Sequence, residues 1–326
     1  MDPRDNASAA RSCLILLAIG AVISLVVCAI LVLTVLPVDI LPQPTPRPED
    51  QRGTVTPDAS QLRMSVIDVG QGACVVVIAP NGKVLVADAG RSGERVERDV
   101  VPYLRSQGVT QIDYLVVTNP DQDHIGGTVR LMELMAVRNW VDPVVSNTNQ
   151  TYVKALGLVQ SQSINPIRAR RGMTLDMGPD VEVMLLWPQD PLVLSGSEEN
   201  RNDNSIVLRI THKDIRMIIP GDIEGRAEAM LVDGDDDLSL RADILVTAHH
   251  GSKTSSTAAF LDAITPTVAI IPVGLDNQYG HPHDEVIQRL RFRSIRTYRT
   301  DYDGTIEVRS DGSSFQVTTL GTGDPQ

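Results

Sequence analysis

The chain has 326 residues, 42% of them hydrophobic and only 3% aromatic, with a formal charge of −12. That length and apolar share allow one large domain or two modest ones. So few rings exclude an aromatic stacking platform for single-stranded nucleic acid, and the acidic balance excludes a broad phosphate-binding face.

After a short segment, 1–12, the run Cys13 to Leu36 is charge-free and largely apolar. As a helix about 36 Å long it would cross a bilayer with some tilt, so one transmembrane helix in contact with lipid is expected. The run exceeds a signal-peptide apolar region, and no small-x-small cleavage site follows it in Pro37-Val38-Asp39-Ile40-Leu41-Pro42. An uncleaved, single-pass anchor in the cell membrane is therefore expected, with a cleaved signal as the alternative. Arg4 and Arg11 precede the run and the next base is Arg47. The positive-inside rule then leaves 1–12 in the cytoplasm and the body of the chain outside it. Residues 37–61, with Pro42, Pro44, Pro46, Pro48 and Pro57, read as a semi-extended tether. Cys13 and Cys28 lie in or beside the anchor and Cys74 stands alone in an apolar run. No disulfide framework is expected, and Cys74 reads as a core thiol.

Residues 62–326 read as a single α/β domain. Three strands are expected over Leu62–Val69, Ala73–Ala79 and Lys83–Asp88, separated by turns at Gly70-Gln71-Gly72 and Pro80-Asn81-Gly82. A helix over Arg95–Gln107, a strand over Ile112–Thr118 and a helix over Thr128–Ala136 follow. Later strands are expected at Val181–Trp187, Ser205–Thr211, Ile215–Pro220, Ile244–Ala248, Val268–Val273, Thr305–Arg309 and Phe315–Thr319, with helices over Glu224–Val232, Ser256–Ile264 and Asp284–Arg291. The acidic run Asp233, Asp235, Asp236 and Asp237 reads as a solvated loop.

Polar clusters stand where the expected strands end. Asn119-Pro120-Asp121-Gln122-Asp123-His124 leads into Gly126-Gly127, Gly221-Asp222 follows Pro220, and His249-His250-Gly251-Ser252-Lys253 follows Ala248. Gly280-His281-Pro282-His283 lies at a further strand exit, which leaves His212 alone as an ordinary surface histidine. Open α/β sheets place their chemistry at strand carboxyl ends. Two carboxylates in so tight a loop repel unless a cation sits between them. The same Asp-x-Asp-His could also be a solvated turn with a helix N-cap. Lys253 and the Gly251-Ser252 backbone read either as an anion cradle or as a solvated lysine before a cap at Ser255 or Ser256.

With these residues in view the chain resembles the metallo-β-lactamase fold, and within it the extracytoplasmic hydrolase domain of ComEC-type competence proteins. The resemblance runs through Asp68-Val69-Gly70-Gln71-Gly72, Asp88-Ala89-Gly90, Asp121 to Gly127, Asn202-Asp203-Asn204-Ser205, Gly221-Asp222, His249 to Ser252, Gly280 to His283 and Thr300-Asp301 with Gly304, and covers nearly everything from Leu62 onward. It implies an α/β (α+β) fold, a four-layer αβ/βα sandwich with the metal site at one edge.

The fold's His-x-His-x-Asp-His motif falls on Asn119 to His124, so Asp123 and His124 match while Asn119 and Asp121 replace histidines. Asp222 matches the bridging carboxylate, and either His249 or His250 matches the last histidine. The third-motif histidine has no counterpart, that region offering Asn202 and Asn204 instead. The resemblance thus implies one firm site for zinc or manganese from Asp123, His124, Asp222 and His249 or His250. A second position, from Asp121, shared Asp222 and Asn119, is expected to be weak, completed by substrate, or absent. Asn204, Ser252 and His281 are expected near the metal as weaker or supporting groups. Metal-assisted hydrolysis follows, with Asp121 or Asp123 holding the attacking water and His249, His283 or Lys253 neutralising phosphoryl charge or protonating the leaving group. Phosphodiesters, nucleic acid among them, are the expected substrates, and no obligate protein partner is implied. Another ester or lactone, or a metal-poor binding module, are the alternatives.

Overall fold

The structure, a computed structural model, describes residues 60–145, 149–195, 198–234 and 239–321, all within one unit, Arg52–Gln326. The expected anchor, nearly all of the tether and Asp235 to Asp237 lie outside the described residues. Among the described residues no helix is long and apolar enough to cross a membrane.

The first strands form for a simple reason. Val75-Val76-Val77-Ile78 is wholly β-branched, which suits a pleated, buried surface. Alternate side chains then feed two different cores. β1 (Leu62–Val66), β2 (Val75–Ile78), β3 (Val84–Ala87) and β4 (Gln111–Val116) lie side by side. On one side they are extended by β5 (Ala136–Asp142) and β6 (Asn165–Arg168), on the other by β16 (Ile306–Ser310) and β17 (Phe315–Thr319). The order is β17-β16-β1-β2-β3-β4-β5-β6, parallel from β3 to β6 and antiparallel elsewhere.

A second sheet runs β15-β14-β13-β12-β11-β8-β7. Its strands are β7 (Thr174–Asp176), β8 (Val181–Trp187), β11 (Val207–His212), β12 (Ile215–Ile219), β13 (Ile244–Val246), β14 (Val268–Ile271) and β15 (Arg296–Arg299), and the two-residue strands Leu194–Ser195 and Glu198–Glu199 (β9, β10) pair with each other between β8 and β11. β12 to β15 are parallel.

Period-2 alternation makes the sandwich. Leu62, Met64, Val66, Val75, Val77, Leu208, Ile210, Met217, Ile244 and Ile270 face between the two sheets. Val76, Ile78, Val86 and Leu115 face outward under helices. These are the continuous helical pieces Gly93–Arg95, Val96–Val100 and Val101–Ser106 (together α1), then α2 (Gln122–Ile125), α3 (Thr128–Leu134) and α4 (Gln150–Ser161). On the far side Val207, Ile218, Leu245 and Ile271 pack under α5 (Gly225–Asp233), α6 (Ala258–Ile264) and α7 (Asp284–Phe292). Each such aliphatic side chain contributes about 1.5–3 kcal/mol on full burial. The result is the four-layer αβ/βα sandwich that the resemblance implies.

Four expectations change. The helix expected over Thr128–Ala136 stops at Leu134, and Ala136 opens β5 instead. α4, β6, β7 and β15 were not expected. The helix after Lys253 is capped by Thr257, whose side chain accepts from Phe260 N, and not by Ser255 or Ser256. His212 is 1% exposed, with Nδ1 3.0 Å from Ser310 Oγ, so it is a core residue rather than a surface one.

Candidate metal centre

The strand exits of both sheets converge on one edge. β3 runs into Asp88, β4 into Asn119 to His124, β12 into Asp222, and β13 into His249 and His250. Close backbone approach makes this convergence possible. A Cβ on Gly126 would lie 2.0 Å from Arg91 O and 2.4 Å from Gln122 O, so only glycine lets the chain after His124 pass there.

Asp123, His124 and His250 each offer a ligand atom, and those atoms lie within 4.8 Å of one another. His124 Nδ1 donates to Asp88 Oδ2 at 2.7 Å, and Asp88 also accepts from Thr118 N and Thr118 Oγ1, each at 2.7 Å. His250 Nδ1 donates to the Pro272 carbonyl at 2.8 Å. Both rings thereby keep the proton on Nδ1 and turn an Nε2 lone pair inward, as ligating imidazoles do. His124 Nε2 is 2.9 Å from Asp222 Oδ2, and His250 Nε2 is 3.4 Å from Asp123 Oδ2 and 3.8 Å from Asp222 Oδ1. Among the described residues neither Nε2 has a hydrogen-bond partner, though both are buried. Lone pairs facing carboxylates in a dry site require a positive charge between them. A divalent cation held by Asp123, His124, His250 and Asp222 meets that requirement.

The electrostatics agree. Burial opposes ionisation of Asp222, but His124 and His250 outweigh it and hold the carboxyl down at about 2. Burial is likewise outweighed at Asp123 by His250, whose Nε2 lies 3.4 Å away, and by the charge of His124, which hold it well below the usual carboxylate range. Burial disfavours a charged His124, yet Asp222 and Asp88 raise its pKa well above 6.5. His250 is raised for the same reasons, by Asp222 and Asp123 against burial. In the absence of a cation, protons take its place.

The structure selects between the adjacent histidines. His249 and His250 both adopt left-handed backbone, φ 52° and 55°, at about 1–3 kcal/mol each. That conformation sends His250 into the cluster. His249 turns to Glu224, with Nδ1 3.4 Å from Glu224 Oε1 and Nε2 3.9 Å from Asp222 Oδ2.

Asp121 is the N-cap of α2 but makes no capping bond; its Oδ1 meets Arg201 Nη1 at 2.9 Å. Burial raises its pKa, and Arg201 opposes the rise. Asn119 is buried, its Oδ1 accepting from Asp121 N and its Nδ2 donating to Ser205 Oγ. Asn204, expected near the metal, is engaged elsewhere: it accepts from Val193 N and donates to Val193 O and Asn200 O, clasping its own loop. Ser252 Oγ pairs with Thr254 Oγ1 at 3.0 Å. His281 stacks with His250 at 6.3 Å between ring centroids and lies 5.0 Å from His283. Burial, then His250 and His249, lower its pKa to about 4. His283 Nδ1 accepts from Lys253 N at 3.2 Å, while Lys253 itself is exposed. His281, His283 and Lys253 thus form a rim beside the cluster rather than part of it.

Sequence reasoning passed over Arg201, Glu224, the Pro272 carbonyl and the role of Asp88. Asp88-Ala89-Gly90 carried a signal, since an aspartate before Ala-Gly at a strand exit suits the left-handed φ of 62° that the structure gives it. Arg201 carried none.

A family model, "Metallo-beta-lactamase superfamily", matches residues 67–274. The chain is 32% identical to ComE operon protein 3 of Bacillus subtilis (strain 168) over 77% of this chain and 33% of that one. It is 28% identical to competence protein ComA of Neisseria gonorrhoeae over 76% of this chain and 32% of that one. The chain therefore spans about a third of the length of these curated relatives. Among solved structures, the fold is shared with CmlA, a diiron beta-hydroxylase from Streptomyces venezuelae, at TM-score 0.52 and 14% identity over 78% of this chain and 55% of that one. It is shared also with Tm1679, a metal-dependent hydrolase of the beta-lactamase superfamily, at TM-score 0.50 and 13% identity over 76% of this chain and 100% of that one.

Proposed function

Because the chain belongs to the metallo-beta-lactamase superfamily and carries its metal-dependent hydrolase fold, we propose that it is a membrane-anchored, extracytoplasmic phosphodiester hydrolase, ComEC-like in this domain, that works with zinc or manganese. The observation that carries the reading is the pair of buried, partnerless Nε2 atoms of His124 and His250 facing Asp123 and Asp222. Two nitrogens and two oxygens form a donor set that zinc or manganese accepts. A cation there supplies Lewis acidity toward a phosphoryl oxygen and lowers the pKa of water toward neutrality.

The chain's own groups do the rest. Asp88 and Pro272 O hold the two imidazoles in the ligating tautomer. Asp121, with Oδ1 on Arg201, keeps Oδ2 to orient the attacking water and take its proton. His283 accepts from Lys253 N through Nδ1, which leaves Nε2 to hydrogen-bond the leaving oxygen. The competence names of the relatives support a nucleic-acid substrate. The scarcity of aromatic side chains and the acidic balance favour gripping it at the site alone. The charge-free run Cys13 to Leu36 supports the anchor.

The test is metal content of the full chain in detergent by elemental analysis, then turnover of bis-p-nitrophenyl phosphate with zinc, manganese and magnesium. Bound metal with metal-dependent turnover is expected. A folded chain that neither holds nor responds to any of these ions would sink the catalytic reading.

A further inference from the structure

The two halves of the candidate centre are not alike. Around His124 and His250 the inward nitrogens are partnerless, and a cation is wanted. Around Asp121 each side chain already has a partner among the described residues. Asn119 spends its oxygen on Asp121 N and its nitrogen on Ser205 Oγ. Asn204 is folded back onto Val193 and Asn200. Asp121 has Arg201 Nη1 at 2.9 Å. Of the groups expected to hold a second ion, only Asp222 remains, and it faces His124 and His250.

We propose that the Arg201 guanidinium takes the place of a second cation: it neutralises Asp121 and offers its remaining N–H donors to an anionic oxygen of the substrate. The proposal rests on the functional reading above. An exposed ion pair by itself is worth little. This one differs because its carboxylate belongs to the same loop as the ligands Asp123 and His124, and carries no other charge partner at ion-pair distance among the described residues. Arg201 is half-exposed, and its side chain makes no further bond among the described residues, so its other donors stay open to solvent beside the loop that carries Asp121 and Asp123. A guanidinium stays charged at any working pH and matches phosphate oxygens with paired donors. It delivers the charge of a second ion without needing ligands for one. The site then requires a single cation, and it selects substrates that bring a negative oxygen to Arg201: phosphodiesters over neutral esters and lactones.

The test is manganese stoichiometry of the full chain in detergent, by equilibrium dialysis and by electron paramagnetic resonance, which separates a lone ion from a coupled pair. Wild type is expected to hold one ion per chain with a mononuclear spectrum. Arg201→Ala is expected to free Asp121 and admit a second, weaker ion coupled to the first, and Arg201→Ala with Asp121→Asn is expected to return to one. Arg201→Lys is expected to stay at one. Retention of the first ion shows that each variant is folded. In turnover of bis-p-nitrophenyl phosphate, Arg201→Ala is expected to raise KM about tenfold, with a smaller change in kcat. A wild type that takes up two ions with Arg201 in place overturns the proposal whether or not any variant folds. So does Arg201→Ala that stays at one ion up to millimolar manganese. A wild type that binds none would instead remove the functional reading, and this inference with it.

Discussion

Asp88→Asn isolates the contribution of one carboxylate to the affinity of the centre. Asp88 is 1% exposed, has φ 62°, and holds Thr118 N, Thr118 Oγ1 and His124 Nδ1, each at 2.7 Å. Asparagine tolerates that backbone as well as aspartate does, so the substitution adds no strain there. Its oxygen can still accept from Thr118 N. Its NH2 group, however, then stands against the Nδ1 proton of His124, and two donors cannot share a bond. The imidazole relieves the clash by moving its proton to Nε2, the atom that faces Asp222 and the cation position. Loss of such a supporting group lowers metal affinity by roughly 10–100-fold, or about 1.4–2.8 kcal/mol. Competition with a chromophoric chelator gives the affinity directly. Melting in EDTA separates that loss from any general loss of stability. A variant that binds zinc or manganese within about threefold of wild type would refute the view that Asp88 sets the tautomer of His124.

Two further outcomes follow from the same geometry. Gly126→Ala places a methyl group 2.0 Å from Arg91 O, and the backbone on both sides is packed. Urea unfolding is expected to show a loss of at least about 3 kcal/mol, and a loss under 1 kcal/mol would mean the loop yields. The pH dependence of stability is expected to change with metal. Without it, His124 and His250 have pKa values raised above 6.5, so their contribution is complete below pH 6.5 and is lost as pH rises through the folded values. Asp222, lowered from 3.8 to about 2, contributes above pH 3.8 and loses that contribution as pH falls toward 2. The metal-free protein should therefore be most stable from about pH 4 to 6.5. Metal needs neutral imidazoles, so saturating zinc or manganese should shift the maximum above about pH 7. Thermal melts in EDTA and in metal compare the two, and a metal-free Tm that climbs from pH 6.5 to 8 would contradict the charge assignment.

Much of this arrangement is legible in the chain. β2 and β3 announce themselves because short apolar, valine-rich runs on either side of Pro80-Asn81-Gly82 suit strands joined by a turn. β5 does not, because Met135 and Ala136 continue the apolar spacing of α3 and hide the boundary. α4 escapes notice because its apolar pattern is blurred: Val153 and Leu156 are exposed while Ala155 and Val159 are buried. β15, Arg296-Thr297-Tyr298-Arg299, is a short charged edge strand that its neighbour β14 recruits. His212 reads as a surface residue because nothing local reveals Ser310 Oγ across the sandwich. Within the site, Asp123, His124 and Asp222 stand out as polar groups where apolar strands stop. The choice of His250 over His249 depends on two consecutive left-handed residues, which no composition encodes. The Asp121–Arg201 pair joins separate loops, and exposed arginines are too common to attract notice.

The distribution of the candidate ligands between the two sheets has a consequence for how the molecule matures. Asp123 and His124 follow β4 in the first sheet, while Asp222 and His250 follow β12 and β13 in the second. A nascent chain with only its amino-terminal half condensed has two donors and no means of retaining an ion at trace concentration. Capture must wait until the carboxyl-terminal half has closed over it, and from then on the ion stabilises only the completed form. On the proposed ligand set, metal occupancy then marks a completed fold, and hydrolytic power arrives at the last step of assembly.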